Sequence, residues 1–396
     1  MRVIIVSKTP THMTTAGNRR GILVQAELLK SLGCDVHFLY IQELPLSRTA
    51  DRESYRSDLE EMRAYWGNRL SIYNVSKIQK LYFNILSRIR KYFFKYECGI
   101  DDEYPAGLAR FFKKLNSKHH FDICIVNYYY LTKLLGVIDV PVKAVFTHDC
   151  FAYRNQVVGD TVNYLNADSE ARAVQRAEHI FAVQEEEFAY YSLLAPRSTV
   201  YNVFCLYTYK SQPSCFNHNL LYLAGNGPLN LAGIEWFISA VFPLIRDEFH
   251  DAKLIIGGGI CRALSQFQDI DGIELQGYVA DASSFYAQGD VAINPVYQGT
   301  GLKIKTFEAV SYDKVTITHP HSAKGIFNPT NAPIIVCQKP EDWAMSIKRV
   351  WSDPSLIGDT KKKNGEYISA LREFVESEYE RFLNNAEIQL NKSVSA

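Results

Sequence analysis

Residues Pro295–Val310 read PVYQGTGLKIKTFEAV, and they indicate the fold class most clearly. An apolar, β-branched run ends at Pro295, Gly299 and Gly301 permit a tight turn, and a helical pattern follows from Leu302. A strand, a glycine turn and a helix in this order are typical of a parallel α/β sheet. The helix is expected to present unpaired N–H groups and its positive dipole end, which together attract phosphate.

Two charged residues of this helix add to the predicted anion site. Lys305 and Glu308 stand three residues apart and therefore share one helical face. A lysine beside phosphate supplies a cation, and a carboxylate accepts hydrogen bonds from ribose hydroxyls. A nucleoside diphosphate presents both groups in that order. Without the glycine turn, a surface helix with a Lys–Glu pair would explain the same residues.

Apolar runs alternate with helical patterns on both sides of this stretch. In the first half we predict strands at Val3–Val6, Asp35–Tyr40, Phe121–Asn127, Ala144–Thr147 and His179–Val183, with a helix at Gly21–Ser31. In the second half we predict strands at Leu220–Ala224, Ala252–Ile256, Ile273–Gln276, Val291–Pro295 and Val315–Thr318, with helices at Gly233–Phe249 and Leu302–Ser311. The pattern predicts two Rossmann-like, doubly wound parallel sheets that face each other across a cleft.

The polar stretch Lys210–Asn219, KSQPSCFNHN, interrupts the alternation and predicts an interdomain linker. We therefore expect a first domain at 1–209, with an insertion near 70–100, and a second domain at 220–370. Residues 371–396 are expected to form a C-terminal helix and tail that cross back to the first domain.

The charge balance, the cysteines and the lengths of the apolar runs argue against several classes of protein. The 396 residues include 43 Lys+Arg and 43 Asp+Glu, and this balance argues against nucleic acid as a main partner. The eight cysteines form no C-x-x-C pair and several lie in apolar runs, as expected of reduced thiols in the cytoplasm. With an apolar N-terminal run of only four residues and no run of about 18, neither a signal peptide nor a membrane span is expected.

The segment Lys77–Tyr96, KIQKLYFNILSRIRKYFFKY, departs from this neutral average. It carries six basic residues and no acidic one, interleaved with aliphatic and aromatic residues. A basic amphipathic helix of this kind fits a membrane interface or an anionic lipid-linked ligand. A core helix with a solvated basic back fits equally well, and the sequence leaves both open.

Several other motifs in the sequence do not predict a nucleotide-binding or metal-binding site. The two candidates for G-x-G-x-x-G have Arg262 and Asn230 where the third glycine belongs, and no P-loop motif occurs. Asp269-Ile270-Asp271 is explained by a turn before a strand. His119-His120 and the pair His319 and His321 lack a third ligand at a recognisable spacing, so no metal site is predicted.

At this point the sequence resembles a known family. The segments Gly277–Val279, Asp290–Pro295 and Gly299–Ala309 resemble the donor-binding half of GT-B glycosyltransferases and are most similar to glycosyltransferase family 4, glycosyl transferases group 1. The start of each predicted domain is similar to the same family. The likeness spans nearly the whole chain, is strong from 220 to 325 and is weak from 45 to 120.

The resemblance implies roles for individual residues. Glu308 matches the glutamate that binds the donor ribose, Lys305 with Lys303 would neutralise the diphosphate, and Tyr278 and Val279 would line the base. Further donor-binding residues implied by the same match are Gly17, Asn226, Gly299, Thr300, Gly301 and Leu302. In the first domain His148, at the end of a strand, resembles the histidine beside the donor sugar.

The sequence also departs from the family. Thr300 stands where the first of two glutamates is usual, and Asn226 and Asn230 stand in the region of the usual Arg and Lys. The charge of the leaving group would then rest on Lys303, Lys305, and Arg19 or Arg20. The likeness implies retention of configuration, with the leaving phosphate accepting the acceptor proton. An inverting reaction would need a base, for which Asp149 is the first candidate.

The resemblance therefore implies a hexosyltransferase that moves a sugar from a nucleotide sugar, such as a UDP- or GDP-sugar, to a hydroxyl of a glycan or a lipid-linked acceptor. We expect a retaining enzyme without metal or cofactor, acting in bacterial surface polysaccharide synthesis. It is expected in the cytoplasm, peripheral on the inner face of the membrane through 77–96. Two alternatives stay open: a nucleotide-sugar 2-epimerase on the same fold, and a non-catalytic subunit that binds a nucleotide sugar.

Overall fold

A computed structural model describes residues 1–12, 17–43, 51–94, 100–158 and 165–395. The chain divides into two compact units. The first comprises Met1–Phe204 together with Val375–Ala396, and the second comprises Cys205–Phe374. The segment Lys210–Asn219 thus belongs to the second unit, where the backbone N–H groups of Cys215 and Phe216 donate to Asp290.

The first unit is built on a seven-stranded parallel sheet in the order β3-β2-β1-β4-β5-β6-β7. Its strands are β1 Arg2–Ser7, β2 Asp35–Gln42, β3 Leu70–Asn74, β4 Ile123–Asn127, β5 Val142–Phe146, β6 His179–Ala182 and β7 Thr199–Asn202. Its helices are α1 Gly17–Ser31, α2 Asp51–Trp66, α3 Lys77–Phe94, α4 Leu108–His119, α5 Phe151–Val158, α6 Ala167–Val174 and α7 Glu185–Leu194. The central strands are buried on both faces, which explains their continuous apolar runs.

The second unit has a six-stranded parallel sheet in the order β10-β9-β8-β11-β12-β13. Its strands are β8 Asn219–Leu223, β9 Lys253–Gly257, β10 Ile273–Gly277, β11 Val291–Asn294, β12 Val315–Thr318 and β13 Ile334–Val336. Its helices are α8 Pro228–Trp236, α9 Phe242–Arg246, α10 Ala282–Tyr286, α11 Ile304–Ser311 and α12 Pro340–Ser352, and α13 Pro354–Ser395 continues into the first unit. The prediction of two parallel α/β sheets is confirmed.

A π-helical turn, Phe237–Val241, joins α8 to α9. The joined helix Pro228–Arg246 has the length and apolar composition of a membrane span. Its apolar residues belong instead to the core of the second unit, where Ile234, Phe237 and Val241 are fully buried.

The helix α3 contains most of the basic segment Lys77–Tyr96, and its exposure distinguishes between an interfacial helix and a core helix. Most of its described apolar side chains are exposed, with exposed fractions of 82% for Ile78, 48% for Ile85, 45% for Ile89 and 82% for Tyr92. Among the residues that the structure describes, the apolar stripe of α3 is thus exposed and lies in no buried core, so the alternative of a core helix is wrong there. Lys95 and Tyr96, the last two residues of the predicted segment, lie outside the described residues.

Candidate functional site

The carboxyl end of β11 leads into the glycine turn that the sequence singled out. Gly299 and Gly301 have backbone φ of 112° and 72°, a region that L side chains rarely adopt. A Cβ at position 299 would also lie 2.6 Å from the side chain of Leu229 in α8. The turn therefore depends on glycine and brings the start of α11 beside the start of α8.

The helix α11 begins at Ile304, two residues later than predicted. The N–H of Ile304 donates to the carbonyl oxygen of Leu302 and that of Thr306 to the carbonyl oxygen of Lys303. The prediction of unpaired amides is therefore wrong for these two groups, because a three-residue γ-turn uses the first and a turn of the 3₁₀ type uses the second. Binding of an anion here depends correspondingly more on side chains.

Lys303 and Lys305 supply these side chains. The Nζ of Lys303 donates to the carbonyl oxygens of Thr300 and Gly301 at 2.8 and 3.2 Å. The Nζ of Lys305 lies 2.7 Å from the Oδ1 of Asn230 in α8. Burial, and secondarily the charge of Lys303, lower the pKa of Lys305 to about 8. Two ammonium groups in one place favour an anionic ligand.

Glu308 follows on the same helix. The buried hydroxyl of Tyr286, at the end of α10, is hydrogen-bonded to the Glu308 carboxylate, and Tyr286 stacks on Tyr312 at 4.7 Å between ring centroids. The pKa of Tyr286 is raised, first by burial and then by the charge of Glu308. Tyr286 thus fixes the carboxylate while it stays protonated. Sequence reasoning missed this residue.

The remaining donor residues lie at the carboxyl ends of β10 and β8. Tyr278 follows β10 directly and is 73% exposed, whereas Val279 packs on the core beside Phe285. Asn226 is exposed in the loop after β8. This loop lies close to Gly259, where an added Cβ would be 3.4 Å from the backbone N of Asn226. The predicted donor residues of the second unit therefore all follow the carboxyl ends of its strands.

His148 lies at the carboxyl end of β5 in the first unit. Its ring stacks on Tyr128 at 4.2 Å and lies 4.4 Å from the ring of Phe146. The Nε2 of His148 is 2.7 Å from the Oδ1 of Asn127 at the end of β4. Burial lowers the pKa of His148 to about 3, so the imidazole is neutral at physiological pH.

Tyr128 and His148 share an unusual backbone. Their φ values are 69° and 65°, in the left-handed region. The hydroxyl of Tyr128 accepts a hydrogen bond of 3.0 Å from Asn18, which follows Gly17 at the start of α1. Strained residues of this kind cluster at functional sites. Tyr128 could not be recognised from the sequence, because its partner in the stack, His148, follows the next strand of the sheet.

Asp149, the candidate base, is buried and already engaged. Its Oδ1 accepts from the N–H of Cys150, and its Oδ2 lies 3.1 Å from Arg154. Two further buried carboxylates, Glu170 and Glu187, lie close by and have raised pKa values, first because of burial. Arg19, one of the arginines offered for the leaving group, is paired with the buried Asp58 at 2.9 Å.

The other sequence motifs, which were considered as possible metal ligands, have structural explanations. Asp269–Asp271 forms the turn before β10, and Asp271 pairs with Arg246. The ring of His319 accepts from the N–H of His321 and caps a 3₁₀ turn. Among the described residues, no group of three or more His, Cys, Asp or Glu is arranged to hold a metal ion.

A cavity of about 650 Å³ lies elsewhere in the second unit. It is lined by the loop before β13, including Asn328 and Asn331, and by Lys363 and Glu366 of α13. This loop enters β13 at its amino end, and the predicted donor residues follow the carboxyl ends of their strands. The cavity is thus separate from the candidate site.

The second unit of the chain is similar to a known family of enzymes. Residues 217–353 match the family model of glycosyl transferases group 1. A Klebsiella pneumoniae relative, described as an uncharacterized 44.6 kDa protein in the cps region, is 23% identical over 361 residues, which cover 78% of this chain and 80% of the relative.

Solved structures show the same fold. A variant of S. aureus TarM, in complex with fondaparinux, α-GlcNAc-glycerol and UDP, has a TM-score of 0.66 and 11% identity over 98% of this chain and 100% of its own. The pneumococcal O-GlcNAc transferase GtfA, in complex with UDP and GlcNAc, has a TM-score of 0.65 and 10% identity over 98% of this chain and 99% of its own. The chain thus has the fold of these glycosyltransferases, and its second unit is similar to the glycosyl transferases group 1 family.

Proposed function

We propose that this glycosyltransferase takes a sugar from a uridine diphosphate donor and transfers it to a hydroxyl of a glycan or lipid-linked acceptor. The observation that carries the proposal is the edge of the second sheet, where Lys303, Lys305 and Glu308 offer two cations and a fixed carboxylate. These groups match a diphosphate and a ribose. The UDP in the complexes of TarM and GtfA supports uridine as the base.

In this mechanism the chain's own residues stabilise the charge that develops on the departing diphosphate. Lys303 and Lys305 supply fixed positive charge, and Glu308 holds the ribose. His148 is neutral, so its part is to orient a donor or acceptor hydroxyl by hydrogen bonding. We propose retention, because the carboxylate of Asp149, the candidate base of an inverting reaction, is already paired with Arg154. We propose that no metal takes part, because Lys303 and Lys305 supply the positive charge that the diphosphate needs.

We also propose that α3 docks on an anionic membrane surface on the cytoplasmic side. Its apolar side chains are exposed along one stripe, and its described basic residues Lys77, Lys80 and Arg88 supply charge opposite to that of the lipid headgroups. A helix that lies in the interface needs both features. Such a position suits a lipid-linked acceptor, and the cps-region relative supports a role in surface polysaccharide synthesis.

Thermal unfolding with UDP, GDP, ADP, dTDP and CMP tests donor binding. A ligand at ~100 times its Kd stabilises by about 2.7 kcal/mol, so the matching nucleotide should raise Tm by several degrees. Glu308→Ala should lose about tenfold or more in affinity, because a charged acceptor of the ribose hydroxyls is removed. Glu341→Ala, an exposed glutamate on α12, is the matched control and should bind normally.

The reaction itself is then followed with the nucleotide sugar that binds. We expect turnover to persist in EDTA, and we expect the product to keep the anomeric configuration of the donor in its NMR coupling constants. If none of the nucleotides shifts the Tm of the wild-type protein, the assignment of the donor site is wrong.

A further inference from the structure

A lysine from one helix lies at the positive end of another. The helix α8 begins at Pro228 after Gly227, and Asn230 is its third residue. The Nζ of Lys305, from α11, is 2.7 Å from the Oδ1 of this asparagine. The amino end of a helix carries about half a positive charge, so an ammonium group is unfavourable there. The presence of the Lys305 ammonium group there therefore indicates a binding site for an anion.

The amide of Asn230 is held in one orientation. Its Nδ2 donates to the carbonyl oxygen of Gly225 at 3.0 Å, and this leaves Oδ1 to accept from Lys305. The asparagine thereby links the loop after β8 to α11 across 75 residues of sequence. It fixes the position of the ammonium group but adds no charge of its own.

The other charged groups around Lys305 do not remove its excess charge. Lys303 lies on the same segment and acts against the protonated form, whereas Glu308 on the same helix favours it. Next to Lys303, His321 has a lowered pKa, chiefly because of its burial. Burial of Lys305 is the largest effect, so its pKa falls to about 8. An arriving phosphate would supply the missing negative charge.

We propose that Asn230 is a positioning residue, which holds the ammonium group of Lys305 at the amino end of α8 to bind a phosphate of the donor diphosphate. This inference rests on the proposed function, in which the second unit binds a nucleoside diphosphate sugar. The cation comes from α11 and the helix dipole from α8. The departures at Asn226 and Asn230 thus move the positive charge to another helix and do not abolish the site.

Calorimetric titration of the full chain with UDP and UMP tests this. Phosphate binding should raise the pKa of Lys305, so UDP binding at pH 8 should take up as much as about half a proton, seen by comparing buffers of different ionisation enthalpy. The terminal phosphate of UDP is fully ionised at that pH, since its pKa is about 6. Above pH 8 the affinity for UDP should fall by about tenfold per pH unit.

Three variants separate positioning from a merely structural role. Asn230→Leu should weaken UDP binding by about tenfold and reduce the preference for UDP over UMP. Asn230→Asp keeps an acceptor for Lys305 but should weaken UDP binding and abolish the proton uptake at pH 8, because its carboxylate keeps Lys305 protonated. The exchange of Asn230→Lys with Lys305→Asn should restore UDP binding above that of Lys305→Asn alone.

The outcomes are distinct. Wild-type protein that binds no nucleoside diphosphate overturns the proposed function itself. Wild-type protein that binds UDP, with Asn230→Leu and Asn230→Asp showing the same affinity and proton uptake, overturns the positioning role and leaves donor binding intact.

Discussion

Two neighbouring residues with positive φ, Tyr128 and His148, mark the edge of the first sheet. Such a backbone costs about 1–3 kcal/mol at each non-glycine residue. The stack between their rings and the hydrogen bonds from Asn18 and to Asn127 hold the strained arrangement. Because burial keeps His148 neutral, it can position a hydroxyl group but cannot provide a cation.

The same edge contains a carboxyl group whose titration can be measured. Glu187 is 2% exposed, and its pKa is raised by burial and then by the charge of Asp149. Below the unfolded pKa of about 4.5 the group is protonated in both states and costs nothing. As pH rises towards the folded pKa, the unfolded state ionises first, so stability is lost.

We therefore predict that Glu187→Gln stabilises the first unit increasingly as pH rises from 5 to 8. Between the unfolded and the folded pKa of Glu187, the gain in unfolding free energy should grow by about 1.4 kcal/mol per pH unit. Denaturant unfolding followed by hydrogen exchange in α7 measures it. Glu186→Gln, exposed on the same helix, is the control. Equal pH dependence in the wild type and Glu187→Gln would contradict the prediction.

The central strands could be predicted from the sequence because they are buried on both faces and are therefore apolar throughout. It missed β3, β7 and β13, which are short and lie at or near the sheet edges. Leu70–Asn74, for example, is only half-buried and has no continuous apolar run. Pattern reasoning recognises burial, and β3 and β13 have less of it. The strand β7 is mostly buried, but its four residues are too few to form a recognisable pattern.

The candidate site, too, could be predicted from the sequence only in part. The glycine turn, Lys305 and Glu308 are neighbours in sequence, so their spacing revealed them. The contacts of Lys305 with Asn230 and of Glu308 with Tyr286 join different elements. No spacing rule reports such a contact, because it depends on how α8 and α10 pack beside α11.

The exposed apolar stripe of α3 predicts that the helix binds to membranes. Ile85→Ser with Ile89→Ser should reduce co-sedimentation with vesicles by tenfold or more, since each side chain loses about 1.5–3 kcal/mol of apolar burial. Lys80→Gln with Arg88→Gln should cost about fivefold per charge in vesicles containing phosphatidylglycerol and nothing in pure phosphatidylcholine.

The control for α3 is Leu193→Ser, which alters an apolar side chain that is 84% exposed on α7. This variant should sediment like the wild type. Equal vesicle binding by all of these variants would show that α3 is not the docking surface.

The chain crosses between its two units twice. The helix α13 starts in the second unit, and Val375–Ala396 belongs to the first. There the ring of Tyr379 stacks on Phe181 at 5.1 Å, and Phe382 lies against Phe181 at 4.9 Å. The first unit is thus completed by residues that follow the whole second unit in sequence.

This connectivity predicts that Phe382→Ala destabilises the first unit alone. Phe382 is fully buried, and such truncations cost about 3–5 kcal/mol through lost burial and the cavity left behind. Hydrogen exchange should accelerate in β6 and β7, while β11, β12 and the affinity for UDP stay unchanged. Ile388→Ala, at a side chain that is 54% exposed on the same helix, should have little effect. Equal loss of protection in both sheets would mean that the two units unfold together, and that the last turns of α13 stabilise the entire chain.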